Sequence, residues 1–331
     1  MGETLSLQFE IISLAVLVVI LLVDLILVVK RPHVPSFKEC LAWVSFYVLL
    51  ALAFAGVLFV YAGAKVSGEF VAGWLTEYSL SVDNLFVFIV IMSRFAVPKK
   101  FQQEVLMVGI IIALIARAIF ILLGAAVIDR FAAVFYVFAV FLLWTAWKQV
   151  QGEDDDDSGE SVVIRGLRRF IKVSEEYDGN KLRTVKDGVT MWTPMLLVFL
   201  VIGLTDVMFA VDSIPAIFGI TQNAFIVFTA NIFALMGLRQ LYFLLGGLMD
   251  RLVYLHYGLA AILAFIGIKL LIHAAHEAPF WPEDSGFGRF VHSIPEIPIW
   301  LSLAVIILSM ATATAASLMV GPKAKNTSAA E

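Results

Sequence analysis

Residues 71–93 read VAGWLTEYSLSVDNLFVFIVIMS. The stretch is long enough to cross a bilayer as a helix, because about 20 mainly apolar residues span a hydrocarbon core about 30 Å thick. It nevertheless carries Glu77, Asp83 and Asn84 in its interior. A carboxylate near the bilayer centre costs about 2.5–3.5 kcal/mol on insertion scales, and such groups are functional by default. They must be protonated, paired or bound to a cation.

The rest of the chain makes the membrane reading general. Of 331 residues, 61% are hydrophobic and mean hydropathy is +0.94, well above the level of a soluble domain. Apolar blocks lie near 10–29, 41–62, 71–93, 104–128, 131–148, 192–216, 223–247, 252–274 and 298–320. Backbone amides cannot stay unpaired in lipid, so the blocks are read as helices. They do not alternate, which excludes a β-barrel pattern. The expected fold class is all-α, polytopic, with about nine transmembrane helices. The first block, interrupted only by Asp24, reads as a mature span because no basic leader or cleavage site precedes it. The lone Cys40 excludes an internal disulfide and a thiolate zinc site. A net charge of −4 gives no case for nucleic acid.

Lys and Arg fix an orientation. With nine spans the loops alternate, and seventeen basic residues fall on one side against three (Lys65, Arg130, Arg289) on the other. This places the N-terminus outside and the C-terminus in the cytoplasm. The long loop 149–190 is then cytoplasmic. It opens with the acidic run Glu153–Asp157 and turns basic and amphipathic over 162–173, a pattern that reads as solvated linker.

The acidic motif recurs. Asp206-Val-Met-Phe-Ala-Val-Asp212-Ser213 repeats the order acid, five residues, acid found from Glu77 to Asp83, at an offset of 129. Arg117 corresponds to Arg239, Asp129-Arg130 to Asp250-Arg251, and Tyr136 and Lys148 to Tyr257 and Lys269. Residues 71–148 and 192–274 therefore read as two copies of a three-helix unit (spans 3–5 and 6–8), with 298–320 as the final span. An odd number of spans per copy inverts the second copy in the membrane. That is the plan of many secondary transporters, whose substrate site lies at the midplane between repeats.

Acids six residues apart sit about 120° apart around an ideal helix and about 9 Å along it. They cannot ligate one ion from a straight helix. Glu77 and Asn84, like Asp206 and Ser213, are seven apart and share a face, with Ser81 near the first stripe. The pairs can act together only if at least one helix is broken, and Pro215 with Gly203 and Gly219 points to the sixth span. Carboxylate, amide and hydroxyl oxygens suit hard divalent cations such as Mn²⁺, Mg²⁺ and Ca²⁺. Asn231 is a further oxygen or interhelical glue. Arg117, Arg239 and Lys269 are the cations available for structural pairing or for a counter-charge role. His273 and His276, near Glu277, read as a solvated helix end.

The segments Glu77-Tyr-Ser-Leu-Ser-Val-Asp-Asn-Leu-Phe, Asp206-Val-Met-Phe-Ala-Val-Asp-Ser-Ile-Pro-Ala-Ile-Phe and Thr229-Ala-Asn-Ile-Phe-Ala-Leu-Met-Gly-Leu-Arg-Gln-Leu-Tyr-Phe243 resemble the signature segments of the TerC family, most closely its Alx branch. The resemblance implies an integral protein of a bacterial inner membrane linked to manganese export and tellurium resistance. It implies a metal site at Glu77, Asp83, Asn84, Asp206, Asp212 and Ser213; Ser81, Asn231, Arg117, Arg239 and Lys269 are the accessory candidates that the residue pattern itself adds. The expected function is export of a divalent cation, foremost Mn²⁺, coupled to an ion gradient, since no P-loop or aspartyl-phosphate motif is present. No organic cofactor and no enzymatic activity are expected. The partners expected are the metal cation, the lipid bilayer, and further copies or other membrane proteins. The alternative is a membrane scaffold or assembly factor linked to tellurium resistance without transport of its own. An intramembrane hydrolase ranks last, for want of a nucleophile or His-Glu-x-x-His site.

Overall fold

The computed structural model describes residues 5–30, 35–128, 130–131, 133–151, 173–174, 177–179, 181–186, 189–245, 254–277, 293–295 and 297–320. Within these, side chains including those of Asp83, Asp212 and Glu277 lie outside the description. The helices are α1 (Leu7–Lys30), α2 (Phe37–Arg94), α3 (Lys99–Ile128), α4 (Val134–Gln151), α5 (Pro194–Phe218), α6 (Ala224–Leu235), α7 (Leu238–Leu245), α8 (Leu255–Glu277) and α9 (Ile299–Val320). Eight helices among the described residues are long and apolar enough to cross a membrane, α6 and α7 counting as one.

The difference from nine apolar blocks lies in α2, which carries two of them. Its 58 residues would extend about 87 Å if straight. They are not straight, because Gly63 adopts φ 83°, ψ 176°. Only glycine takes such a backbone without strain. The Ser67 hydroxyl donates to the Ala55 carbonyl at 2.8 Å, and the rings of Phe54 and Phe70 lie 5.0 Å apart. Residues 12 and 16 apart along one straight helix could not meet in this way. The two arms of α2 therefore fold back on each other.

The loop 149–190 is not wholly linker. Strands β1 (Arg183–Lys186) and β2 (Val189–Trp192) pair antiparallel, Arg183 opposite Trp192. The Arg183 guanidinium lies 3.9 Å from the Trp192 ring centroid. The Tyr177 hydroxyl donates to the Phe95 carbonyl at 2.7 Å, tying this loop to the end of α2. The acidic run 153–157 lies outside the described residues.

The helices divide by what covers them. Large apolar side chains on the outer helices are exposed, among them Val60, Leu122, Val137 and Leu308, as lipid-facing surfaces require. Every residue of α6 from Phe225 to Leu235, except the half-buried Phe228, is buried. Its N-terminus is capped by Asn223, whose side chain accepts from the Phe225 and Ile226 amides. The seventh apolar block then breaks at Met236 (ψ 129°) and Gly237 (φ 83°), and α7 resumes at Leu238. Elsewhere glycines let backbones approach. A Cβ on Gly109 of α3 would lie 2.9 Å from Ile202 of α5, and one on Gly267 of α8 would lie 3.2 Å from the Ala139 carbonyl of α4. Small residues at such crossings are the usual substitute for hydrophobic force between helices in lipid.

Candidate intramembrane ion site

Glu77 lies in the second arm of α2, Arg117 in α3 and Asp206 in α5. The three side chains meet in the protein interior, at 0%, 1% and 3% exposure. Arg117 Nη1 donates to Glu77 Oε2 in a short charge-assisted bond. Arg117 Nε stands 3.9 Å from Asp206 Oδ2, an ion pair without a hydrogen bond. Ser213 of α5 sits beside the Glu77 carboxylate. The first acid of each motif thus shares one arginine with the other.

This convergence needs no break in either helix. α2 is regular through 77–84, its one non-helical residue being Gly63. α5 runs unbroken from Pro194 to Phe218, with Pro215 one turn before its end. The break expected in the sixth span is instead in the seventh, at Met236–Gly237. Side chains from different helices are brought together by packing, and the limit on two acids of one straight helix is not violated.

Several oxygens of these helices are buried and make no hydrogen bond with the protein: Glu77 Oε1, Asp206 Oδ2, Ser213 Oγ, Ser81 Oγ and Thr76 Oγ1. Native proteins hold only a few such groups per hundred residues, and each calls for a water, an ion or a function. All are hard oxygen donors, the type that suits Mn²⁺, Mg²⁺ and Ca²⁺. Asn84 and Ser213, the residues that follow the second acids, line a common cavity of about 70 Å³. Among the described residues its other polar lining is Thr145 and Gln149 of α4, and its apolar lining is Leu80, Phe209, Leu259 and Leu263. Asp83 and Asp212, the second acids themselves, have side chains outside the described residues. Among the described residues no three His, Cys, Asp or Glu side chains form a metal-ligating group.

The accessory residues separate. Arg239 does not join the site. Its Nη2 bonds Asp24 Oδ1 at 3.4 Å, and the Tyr47 hydroxyl donates to the same oxygen at 2.7 Å. Lys269 reaches Ser302 of α9 at 3.5 Å. Asn231 is buried in α6 with neither amide atom hydrogen-bonded. His273 is engaged by Gln222 at 2.6 Å and by the Phe135 ring. The Asp24 partnership had no sequence signal, since its partner is 215 residues away. Thr145 and Gln149 did have one: two polar residues four apart in an apolar span share a helix face.

The profile described as the integral membrane protein TerC family matches residues 62–325. The chain belongs to the TerC family. It is 45% identical over 303 residues to the uncharacterized membrane protein Rv2723 of Mycobacterium tuberculosis, covering 90% of this chain and 76% of that protein. It is 43% identical over 238 residues to the chloroplast thylakoid membrane protein TERC of Arabidopsis thaliana, covering 72% of this chain and 62% of that one. It is 40% identical over 276 residues to Alx of Salmonella typhi, provisionally named a membrane-bound redox modulator, covering 80% and 86%. No solved structure matches the chain.

Proposed function

We propose that this chain is a membrane transporter that exports a divalent cation, foremost Mn²⁺, through a carboxylate site between the third and sixth spans, driven by an ion gradient. The observation that carries the reading is the meeting of Glu77 and Asp206, one from each motif, on Arg117. Two carboxylates with one guanidinium leave one negative charge uncompensated. A divalent cation and the guanidinium then compete for the same oxygens. When the cation binds, Arg117 is released; when the cation leaves, Arg117 returns and neutralises the carboxylates. The arginine acts as a tethered counter-ion that keeps the emptied site from collapsing on unpaired charge.

The helix packing supports the inverted repeat. α2 packs on α6, with Gly73 and Phe70 of its second arm against Ala230 and Phe233, and α3 packs on α5, which are the pairs that exchange if the two copies swap. α4 packs on α8, its own counterpart. With α2 counted as two arms there are nine passes, and the N-terminus lies outside.

The test is cellular Mn²⁺ content under Mn²⁺ challenge. Cells making the wild-type chain are expected to hold less Mn²⁺ than cells without it. Asp83→Asn, Asp212→Asn and Asp206→Asn are expected to abolish the difference; export at the wild-type rate by any of them would remove that residue from the site. The complete burial of the Glu77–Arg117 pair is also what a structural lock would show, and it favours the scaffold as the second reading. Purified protein in liposomes separates the two, since a scaffold moves no cation.

A further inference from the structure

We infer that the break between α6 and α7 binds a monovalent alkali cation, the ion whose gradient drives transport; the driving role rests on the export reading above. α6 and α7 form one apolar span of 21 residues, Ala224–Leu244, and Met236 and Gly237 fall just past its middle. Helix ends leave backbone groups without intrahelical partners. The Met236 amide still bonds the Ile232 carbonyl at 3.0 Å, and the Leu241 amide bonds the Gly237 carbonyl at 2.9 Å. The carbonyls of Phe233, Ala234, Leu235 and Met236 have no backbone donor among the described residues. All four residues are buried, and buried carbonyls are rarely left unpaired.

Gln240 is the second observation. It is the third residue of α7, it is 2% exposed, and neither atom of its amide makes a hydrogen bond with the protein. A Gln at this position can cap the amide just before the helix, but Gln240 forms no such bond. Helical side chains lean toward the N-terminus, so Gln240 lies over the break. Tyr47 shuts one side, with its ring 2.9 Å from where a Cβ on Gly237 would stand. Arg239, the only charged residue of α7, is already answered by Asp24.

The donors are carbonyl oxygens at the negative end of α6 and one amide oxygen. Uncharged oxygens of this kind replace the hydration shell of alkali cations, and the ends of broken membrane helices coordinate coupling ions in secondary transporters. Tight divalent sites draw on ligand charge, which the carboxylates of Glu77 and Asp206 supply. The two ions thus have separate sites of different chemistry. α6 packs on α2 and α3, the helices of Glu77 and Arg117, so an ion that fixes the break acts on the carboxylates through those contacts.

Two measurements test the proposal. The first is thermal unfolding of the purified chain without Mn²⁺, in NaCl or KCl, with choline chloride holding ionic strength constant. One of the two alkali ions is expected to stabilise the protein saturably. Gln240→Leu is expected to raise its half-saturating concentration about fivefold or more, whereas a purely structural Gln240 would lower stability equally in every salt. Gln240→Glu keeps an oxygen and adds charge, and is expected to lower that concentration about threefold. The second is initial Mn²⁺ flux in vesicles, which a gradient of the stabilising ion should speed about fivefold over choline. If the ion stabilises the chain through Gln240 but vesicles move no Mn²⁺, the site stands and the export reading falls. If vesicles move Mn²⁺ equally in all three salts and neither ion stabilises the chain, the site is overturned and the export reading stands. Stabilisation that is the same in wild type, Gln240→Leu and Gln240→Glu overturns the break as the site.

Discussion

Arg117 and Arg239 each follow one of the two acidic motifs in the sequence, and they do different work. Arg117 is fully buried in an unbroken 30-residue helix and holds Glu77 and Asp206, one from each acidic motif. Arg239 follows a broken helix by two residues, keeps a side-chain exposure of 12%, and holds Asp24 of the peripheral helix α1. The same residue type therefore joins two acidic motifs in one place and ties down the bundle edge in the other. An internal repeat fixes where a side chain sits along its own helix. Which acid it meets is decided by the helix packed opposite, and the break at Gly237 changes that neighbour.

The comparison can be broken or sharpened by substitution. The largest effect is expected for Arg117→Gln. It leaves two buried carboxylates without a counter-charge, and breaking a buried pair this way costs about 3–5 kcal/mol. Thermal unfolding in detergent and Mn²⁺ export should both collapse. Glu77→Gln comes next. It keeps shape and removes charge, so export should fall to background while stability falls by less than in Arg117→Gln. Gly237→Ala should follow, costing about 1–3 kcal/mol, since it forces a Cβ onto a left-handed backbone and places it 2.9 Å from the Tyr47 ring. The smallest effect is expected for Arg239→Gln. Its ion pair is longer, at 3.4 Å, and largely but not fully buried, and Tyr47 still donates to Asp24 Oδ1 when the arginine is gone. Export by Arg239→Gln should stay within about twofold of wild type. If instead it loses export as completely as Arg117→Gln, the two arginines are equivalent and the contrast drawn above is wrong.

Much of this was legible in residue patterns. The apolar blocks, the paired acids and the two arginines were read from length, polarity and spacing, because lipid makes each buried charge conspicuous. Two breaks were not. Pro215 promised one in the sixth span, but it falls one turn from the end of α5, where the helix stops in any case. Gly237 stands in Leu-Met-Gly-Leu-Arg, a run that reads as uninterrupted helix with one weak residue. The fold-back of α2 at Gly63 hid in the same way, because helix resumes at once on either side. Local pattern records propensity, whereas these bends are set by what the chain must pack against. The pairing of Asp24 with Arg239 belongs to the same class.

The break at Gly237 also bears on how the protein is made. α6 has 12 residues and a length of about 18 Å, too short to cross a hydrocarbon core about 30 Å thick. A broken segment with freed backbone groups is tolerated at membrane depth only inside protein. The segment alone in lipid is therefore expected to be one continuous helix, with the break at Gly237 sustained by packing against Tyr47 of α2. A peptide of residues 221–247 in a bilayer should be a straight helix, and the kink should become visible only in the complete chain.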